Sequence, residues 1–376
     1  MTSSYLQQVA SELGVPDTEL TLLDKAGVRN AHQLHSVLTA FPSIAPGVAA
    51  GTSAWKPHLV LQSLSMQLSA VFRQFVSASH LPPRLPYGGA PPPTNAPSDP
   101  WPSGVTPGQK VNVGHTAAST FWFDGWKAQD QGTLGTCVAY APVACCEWLL
   151  HKRGTAQPAL SERLLYWEIK SNEVPPQQQS EGDWLCNALA PLAAEGLCAR
   201  QAFPFEGNPG LPWPPGSAPP AAVLNSASNI KFTKLRYYNK PQAGSAALLR
   251  RCLDDGPAAI NLPVYQDKQF GNGSVSNWTT NDGIMYGFVA NPVKEVMDNP
   301  ADSGHIICVV GFVPDQDEPM GGHFIVKNSW GNRWSMYWDA PDTNGMLPDI
   351  GYGSVTATYV EGWLRELLQL QLSGNP

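Results

Sequence analysis

Cys137 is the residue whose surroundings best suit covalent chemistry. It follows a glycine-rich turn that ends in Thr136, and an apolar run begins directly after it. Because Thr is a common N-cap, this pattern predicts a helix that begins at Cys137. The positive end of the helix dipole stabilises a thiolate in the first turn and lowers the pKa of the thiol. Cys137 is therefore a candidate nucleophile, whereas Cys145 and Cys146, two turns further along, are interpreted as small buried hydrophobic residues.

A cysteine nucleophile needs a base, and three of the eight histidines follow Cys137 in the sequence. His151 lies fourteen positions further along the same predicted helix, roughly 21 Å away at 1.5 Å per residue, which is out of reach. His305 and His323 each begin a run of β-type residues. The residue types alone therefore leave two candidate bases, both in the second half of the chain.

Three segments of the chain resemble the catalytic motifs of papain-like cysteine peptidases. Residues 131–137 contain a Gln, a turn of small residues and a Cys at the spacing that the family uses. Residues 303–312 resemble the family's histidine strand, and residues 324–334 contain an Asn-Ser-Trp-Gly unit with a second Trp four positions after the first. Weaker similarities in the same order lie at 160–165, 182–183, 195–205 and 256–260. The resemblance implies a two-lobed papain-like fold.

The resemblance assigns catalytic roles to four residues. It implies that Cys137 is the nucleophile, that His305 is its base and that Asn328 orients the imidazole. An Asn carbonyl accepts the imidazole N–H and so fixes the tautomer and the direction of the ring. His323 is five positions from Asn328, and an odd separation in a strand points two side chains to opposite faces, so His305 is the better partner. The Gln131 amide and the Cys137 backbone N–H are expected to stabilise the oxyanion.

The resemblance also implies that five further residues contact the substrate. Gly182 and Asp183 stand where the family has a glycine pair whose backbone pairs with an extended peptide, and the Asp departs from that pattern. Gly304 directly precedes the histidine. Trp330 is expected to shield the His–Asn hydrogen bond from water, and Trp334 to line the leaving-group side. The implied substrate is a peptide or protein, with no metal and no organic cofactor.

Two other functions remain consistent with the sequence. One is a catalytically silent papain fold that binds peptides or acts as a scaffold, which the presence of all four catalytic residues disfavours. The other is a Cys-His acyl transferase such as a transglutaminase. Those enzymes typically use Asp to orient the base, whereas this chain has Asn328.

Two residues near the nucleophile depart from the family pattern. Leu134 stands where many secreted relatives have a disulfide-forming cysteine, which favours a reducing compartment. Pro142 lies five residues into the predicted helix, just past the first turn. Proline there removes a backbone hydrogen bond and is expected to bend or weaken the helix at a cost of up to ~3 kcal/mol.

Apolar periodicity predicts helices first and strands second, which is an α+β arrangement in two lobes. The expected helices are 137–152, 161–170 and 185–195, and the expected strands are 230–238, 258–264, 305–312, 323–328 and 354–360. A short surface helix is expected at 363–372. The active site is expected in the cleft between the lobes, with the nucleophile on the helical lobe and the His and Asn on the β lobe.

The first 110 residues divide into two regions by composition. Residues 1–80 have helical patterning and predict a small N-terminal helical domain. Ten of the thirty residues at 81–110 are proline, which predicts an extended linker before a peptidase domain at 111–373. Residues 1–80 lack the Arg/Phe/Asn spacing of the commonest papain-family propeptide. Either a pro-region that covers the cleft in cis or an adaptor that binds a partner protein fits them.

Net charge and hydropathy argue against nucleic-acid binding and against a membrane span. The net charge is -7 without a cluster of Lys and Arg, which argues against nucleic-acid binding. No apolar run approaches the ~20 residues of a membrane span, and the N-terminus lacks the basic and apolar regions of a secretory signal. The seven cysteines, an odd number, fit one working thiol plus others, but a secreted protein could have the same count. The missing signal favours a cytoplasmic protein with reduced thiols and leaves export by a non-classical route open. The sequons at Asn272 and Asn277 are then accidental.

Overall fold

The computed structural model describes residues 93, 95–100, 121, 123, 125–156, 158–173, 180–205, 218–232, 234–239, 244–265, 276–279, 287, 289, 291, 303–315, 318–331, 334–335 and 351–371. All of them belong to one compact unit, which comprises residues 84–338 and 348–376. The predicted helical domain at 1–80 lies outside the described residues, as does most of the predicted linker.

Helices dominate the first part of this unit. The α-helices are α1 (Cys137–Lys152), α2 (Glu162–Ser171), α3 (Ala221–Ala227), α4 (Ser245–Cys252) and, near the C-terminus, α5 (Ala357–Trp363). Single helical turns of 3-10 or π type lie at Leu185–Ala188, Pro191–Glu195 and Arg200–Ala202. None of the helices in the described part of the chain is long and apolar enough to cross a membrane.

A six-stranded sheet forms the second part. Its strands are β1 (Lys234–Asn239), β2 (Ala258–Val264), β3 (Ser303–Pro314), β4 (Gly322–Lys327), β5 (Tyr352–Thr356) and β6 (Glu366–Gln371). They lie in the order β1-β6-β2-β3-β4-β5, and each neighbouring pair is antiparallel. Helices followed by one antiparallel sheet confirm the predicted α+β class.

The C-terminal elements differ from the prediction. Residues 354–360, expected as a strand, divide between β5 and α5, because the Thr356 hydroxyl caps the helix by accepting the Tyr359 N–H at 3.0 Å. Residues 363–372, expected as a surface helix, contain β6 instead. This strand lies between β1 and β2, and its leucines are buried. A short apolar run of this kind cannot be assigned to helix or strand by periodicity alone, which explains the wrong prediction.

α1 is buried on all sides over most of its length. Its residues from Cys137 to Leu149 are all buried, as expected of a helix that is apolar all round. Thr136 occupies the N-cap position, but its side chain makes no capping hydrogen bond. The helix continues through Pro142 without a break. Tertiary packing supplies most of the stability of a helix in a protein, so one missing backbone hydrogen bond does not end it here.

Part of the predicted linker contacts β1. The Asp99 backbone N–H donates to the Tyr237 carbonyl at 2.7 Å, and the Asp99 carboxylate accepts the Tyr237 N–H at 2.6 Å. The Ser98 hydroxyl oxygen accepts the Asn239 N–H at 3.2 Å. Residues 97–100 are exposed, so hydrogen bonds rather than burial hold this segment on the sheet.

Candidate active site

His305 and Asn328 form a buried hydrogen-bonded pair. His305 lies on β3, and Asn328 directly follows β4, the neighbouring strand. The His305 Nε2 atom is 2.7 Å from Asn328 Oδ1, which also accepts the Ser329 backbone N–H at 2.7 Å. A carbonyl oxygen only accepts, so this contact places the imidazole proton on Nε2. The other ring nitrogen, Nδ1, has no hydrogen-bonding partner among the described residues and is the one that can take up a proton.

Three buried tryptophans surround His305. Trp330 stacks on the imidazole with ring centroids 4.4 Å apart, and Trp278 packs edge to face against it at 5.2 Å. Trp334 donates its indole N–H to the Trp278 carbonyl at 2.9 Å and so holds Trp278 beside the histidine. The rings exclude water from the His–Asn hydrogen bond. The sequence did not predict Trp278, because its only local signal is the sequon at 277–279.

That sequon is not a usable glycosylation site in the folded protein. Asn277 is fully buried. Its side-chain carbonyl accepts the Tyr265 N–H at 2.9 Å, and its amide donates to the Tyr359 hydroxyl at 3.0 Å. Both polar ends of the Asn277 side chain are therefore engaged in hydrogen bonds next to Trp278.

Burial lowers the pKa of His305 to about 4, and the hydrogen bond to Asn328 only partly offsets this effect. The ring is fully buried, so a lone imidazolium would lack the hydration that it has in water. His305 is therefore charged near neutral pH only when an anion lies beside it. A cysteine thiolate would be such an anion and would make the two groups titrate as a pair.

Two loops pair with each other and bring the turn before α1 to the chain after β4. The Gln131 backbone N–H donates to the Ser329 carbonyl at 2.8 Å, and the Gly331 N–H donates to the Gln129 carbonyl at 2.9 Å. The Ser329 hydroxyl donates to the Gln131 side-chain oxygen. The Gln131 side-chain amide donates to the Leu134 carbonyl at 2.8 Å. Gln131 thus connects the turn before the predicted nucleophile to the residue after the predicted orienting Asn.

Cys137 is the first residue of α1 and is fully buried. The helix packs against β3, the strand of His305, which also contains the buried Gly304. Two turns after Cys137, the Cys145 sulfur lies 3.5 Å from the Cys308 sulfur, three residues after His305. The predicted nucleophile therefore begins a helix that packs on the strand of the predicted base.

Residues of α2 hold Gly182 and Asp183. The Lys170 ammonium donates to the Gly182 carbonyl at 2.7 Å and lies 3.0 Å from the Asp183 carboxylate. The Tyr166 hydroxyl accepts the Gly182 N–H at 3.3 Å. The Asp183 side chain is only 2% exposed. The Asp that departs from the family's glycine pair thus faces a buried lysine, a partner that the sequence did not predict.

A cluster of buried charges lies next to Asn328. Glu147 of α1 and Glu162 of α2 both accept from the Arg200 guanidinium, at 3.0 and 2.6 Å. Lys327, the residue before Asn328, is 5% exposed. Burial lowers the pKa of Lys327, and the charge of Glu147 opposes that shift. The two carboxylates and the lysine line, with Asn328, a cavity of about 10 Å³, close to the room that one water needs.

Replacement of Glu147 by alanine is expected to destabilise the fold by about 3–5 kcal/mol, because it removes a carboxylate from a buried ion cluster. Urea unfolding measures the loss as a change in the free energy of unfolding. Asp254→Ala is the control, since it removes an exposed carboxylate that lies 2.7 Å from the Arg250 guanidinium. That change is expected to cost less than about 1 kcal/mol. Equal losses in the two variants would contradict the role given to Glu147.

Comparison with known proteins identifies similar sequences. The model of the papain family cysteine proteases matches residues 125–338. An uncharacterized peptidase C1-like protein of Acanthamoeba polyphaga mimivirus is 25% identical over 220 residues, which cover 56% of this chain and 63% of the relative. Cathepsin K of Gallus gallus is 24% identical over 212 residues, which cover 55% of this chain and 52% of the relative. The chain thus spans less than two thirds of the length of both relatives.

Solved structures with a similar fold include xylellain, a cysteine protease from Xylella fastidiosa. It is 18% identical to this chain, with a TM-score of 0.52. The similarity covers 77% of this chain and 97% of xylellain. At this identity the likeness concerns the fold, and it confirms the predicted two-lobed α+β architecture. The family match at 125–338 contains all four residues predicted to be catalytic.

Proposed function

Because the chain belongs to the papain family of cysteine proteases, we propose that it hydrolyses peptide bonds with Cys137 as the nucleophile. In this proposal His305 is the base and Asn328 orients it. The observation that carries the proposal is the 2.7 Å contact between His305 Nε2 and Asn328 Oδ1, which Trp330 covers. It leaves Nδ1 as the nitrogen that exchanges a proton with a thiol.

The first half of the reaction forms a thioester. The Cys137 thiol transfers its proton to His305 Nδ1, which gives a thiolate and an imidazolium. The thiolate attacks the carbonyl carbon of the scissile peptide bond, and negative charge develops on the carbonyl oxygen. The Gln131 amide and the Cys137 backbone N–H stabilise that oxygen. His305 then gives its proton to the leaving amine, the C–N bond breaks and the acyl group stays on sulfur.

The second half hydrolyses the thioester. Neutral His305 accepts a proton from water as the water oxygen attacks the thioester carbonyl. The C–S bond breaks, a carboxylic acid leaves, and the thiolate beside an imidazolium is restored. Asn328 keeps a proton on Nε2 throughout the reaction. Nδ1 is therefore the ring nitrogen that transfers protons in both halves. The substrate is a peptide or protein.

Labelling with a peptide epoxide tests this proposal against a catalytically silent fold. The epoxide reacts with an activated thiolate, so mass spectrometry of the full-length protein is expected to show one adduct, on Cys137. Cys145 and Cys146 are internal controls, because burial raises the pKa of both thiols. A Cys137 that stays unlabelled both in the full-length protein and in a protein that lacks residues 1–90, or equal labelling of the three residues, would contradict the proposal.

Product analysis separates hydrolysis from acyl transfer. A peptide substrate is incubated with and without an added primary amine. A peptidase is expected to release the free carboxylic acid in both cases. An amide of the added amine as the main product would instead favour the transferase.

Replacement of Gln131 by alanine is expected to lower kcat by roughly 100- to 1000-fold, the effect of removing one oxyanion donor. Cys137 should remain open to epoxide labelling. Gln129→Ala is the control, because among the described residues the Gln129 side chain donates to the nearby Lys127 carbonyl, at 3.1 Å, and not to a residue of the proposed site. Steady-state kinetics measures kcat and KM for both variants, and circular dichroism verifies that both are folded. A change in KM alone would remove Gln131 from the oxyanion hole.

We also propose that the N-terminal region restrains the peptidase by covering its cleft. A proline-rich segment resembles an extended peptide but lacks the N–H groups that would hold it in a productive register. The test compares the rate of epoxide labelling at Cys137 in the full-length protein and in a protein that lacks residues 1–90. This boundary keeps the contact between Asp99 and β1. Much faster labelling after truncation supports a restraint by residues 1–90, whereas equal rates in two folded proteins contradict a block by these residues and favour an adaptor.

A further inference from the structure

Two cysteines from different parts of the chain meet in the core. Cys145 of α1 and Cys308 of β3 are 163 positions apart in the sequence, and their sulfur atoms are 3.5 Å apart. Both side chains are fully buried. None of the seven cysteines, all of which the structure describes, forms a disulfide in it. The proposed catalytic reaction uses neither thiol of this pair.

The two sulfurs lie close together, although no bond joins them in the structure. A disulfide holds its sulfurs about 2.05 Å apart, so closure from 3.5 Å requires them to approach by about 1.5 Å. Cys146, the next residue of α1, lies about 100° further around the helix and points in another direction. The helix thus presents Cys145, and not its neighbour, to Cys308.

We propose that Cys145 and Cys308 are a disulfide site that locks α1 to β3 when the chain folds in the presence of a low-molecular-weight disulfide such as oxidised glutathione. One cysteine thiolate attacks a glutathione sulfur, and the glutathione S–S bond breaks to give a mixed disulfide and one reduced glutathione. The second cysteine thiolate attacks the mixed disulfide at the protein sulfur and displaces a second glutathione. The two cysteines are oxidised, glutathione disulfide is reduced, and the two thiol protons end on glutathione.

Exchange has to take place before the helix and the strand have packed. The thiolate is the reactive species, and burial raises the pKa of the Cys145 thiol well above its ordinary value. A mixed disulfide with a tripeptide also has no space between two fully buried side chains. The bond therefore closes during folding, and a reductant cannot easily reach it afterwards. In a reducing compartment the pair stays as two thiols.

The proposed disulfide would hold together the two elements that carry the proposed nucleophile and base. α1 carries the proposed nucleophile and β3 the proposed base, so the bond joins the two elements on which the reaction depends. It closes a long loop and therefore restricts the unfolded chain strongly. Oxidised protein is expected to melt about 5–10 °C above the reduced form. Cys137 is a separate thiol in the first turn of α1, so the bond leaves it in place.

The experiment uses the full-length chain with Cys137→Ala, which prevents self-cleavage and oxidation at that residue. The protein is unfolded in urea and refolded either with oxidised and reduced glutathione or with a phosphine reductant alone. After alkylation of remaining thiols, a non-reducing digest is expected to contain the peptides of Cys145 and Cys308 as one species, two hydrogens lighter than their sum. Only the glutathione sample should contain it, and that sample should have the higher melting temperature.

Single substitutions assign the bond. Cys146→Ala removes the adjacent buried thiol and is expected to keep both the linked peptides and the melting difference. Cys145→Ala and Cys308→Ala are expected to lose both. The digest of the parent protein is decisive even where a variant folds poorly. Alkylated Cys145 and Cys308 in the glutathione sample, or a bond that survives Cys145→Ala and is lost in Cys146→Ala, would overturn the proposal.

Discussion

Replacement of Cys137 by alanine is expected to lower kcat for peptide hydrolysis by about 10⁴- to 10⁶-fold, as the loss of a nucleophile does in enzymes that act through a catalytic triad. The fold should survive, because a small residue replaces another small residue at the start of α1 and Ala is a good helix former. A fluorogenic peptide measures the turnover, and circular dichroism verifies the fold.

Two further measurements make this prediction specific. Cys146→Ala removes another buried thiol of α1 and is expected to keep wild-type turnover. In the Cys137→Ala protein His305 has lost the proposed anion, so NMR titration should show its pKa near the value of about 4 that burial and the hydrogen bond to Asn328 together give. The wild-type protein should show a much higher pKa for the same ring. Wild-type turnover in Cys137→Ala would end the assignment of the nucleophile.

Replacement of His305 by glutamine is expected to lower kcat/KM by about 10²- to 10⁴-fold, the usual contribution of a general acid-base group. In the wild type, activity should fall on the acid side as the thiolate is protonated, and on the alkaline side as His305 loses its proton. In the variant the acid limb should move to higher pH, because the thiolate has lost its imidazolium partner, and the alkaline limb that His305 causes should disappear. The rate of Cys137 alkylation by iodoacetamide against pH measures the thiolate directly and should shift to higher pH in His305→Gln.

His323→Gln is the matched control for the base. The His323 Nε2 atom lies 3.1 Å from the Asp315 carboxylate, and the His323 side chain is 27% exposed, so it belongs to a partly exposed hydrogen-bonded pair rather than to the buried site. This variant is expected to keep the wild-type pH profile. An unchanged profile in an active His305→Gln protein would identify a different base, with His323 the next candidate.

Local sequence signals predicted the elements that carry the site. The glycine-rich turn and the apolar run predicted α1 with the bounds that the structure has, and the apolar run after Gly256-Pro257 did the same for β2. The resemblance to papain-like peptidases selected His305 and Asn328, which the structure brings within hydrogen-bonding distance. Their catalytic roles stay predictions.

Long-range contacts account for what the sequence did not predict. β6 is buried between two strands that come from other parts of the chain, and its polar residues Glu366 and Gln369 are buried together with its leucines. Trp278 reaches His305 from a segment without a recognisable motif. Lys170 and Asp183 are of charged types that usually lie at the surface. They are buried because they pair with each other across thirteen positions, and the local sequence around each residue does not indicate this pairing.

The contact between Asp99 and β1 is expected to disfavour association of the protein with itself. β1 is the edge strand of the sheet, and the exposed N–H and C=O groups of an edge are a template on which another chain can pair. Asp99 occupies both backbone groups of Tyr237 and places a negative charge there. A protein cut at residue 108 loses this cover. Light scattering is therefore expected to show more aggregation for it than for a protein that begins at residue 91.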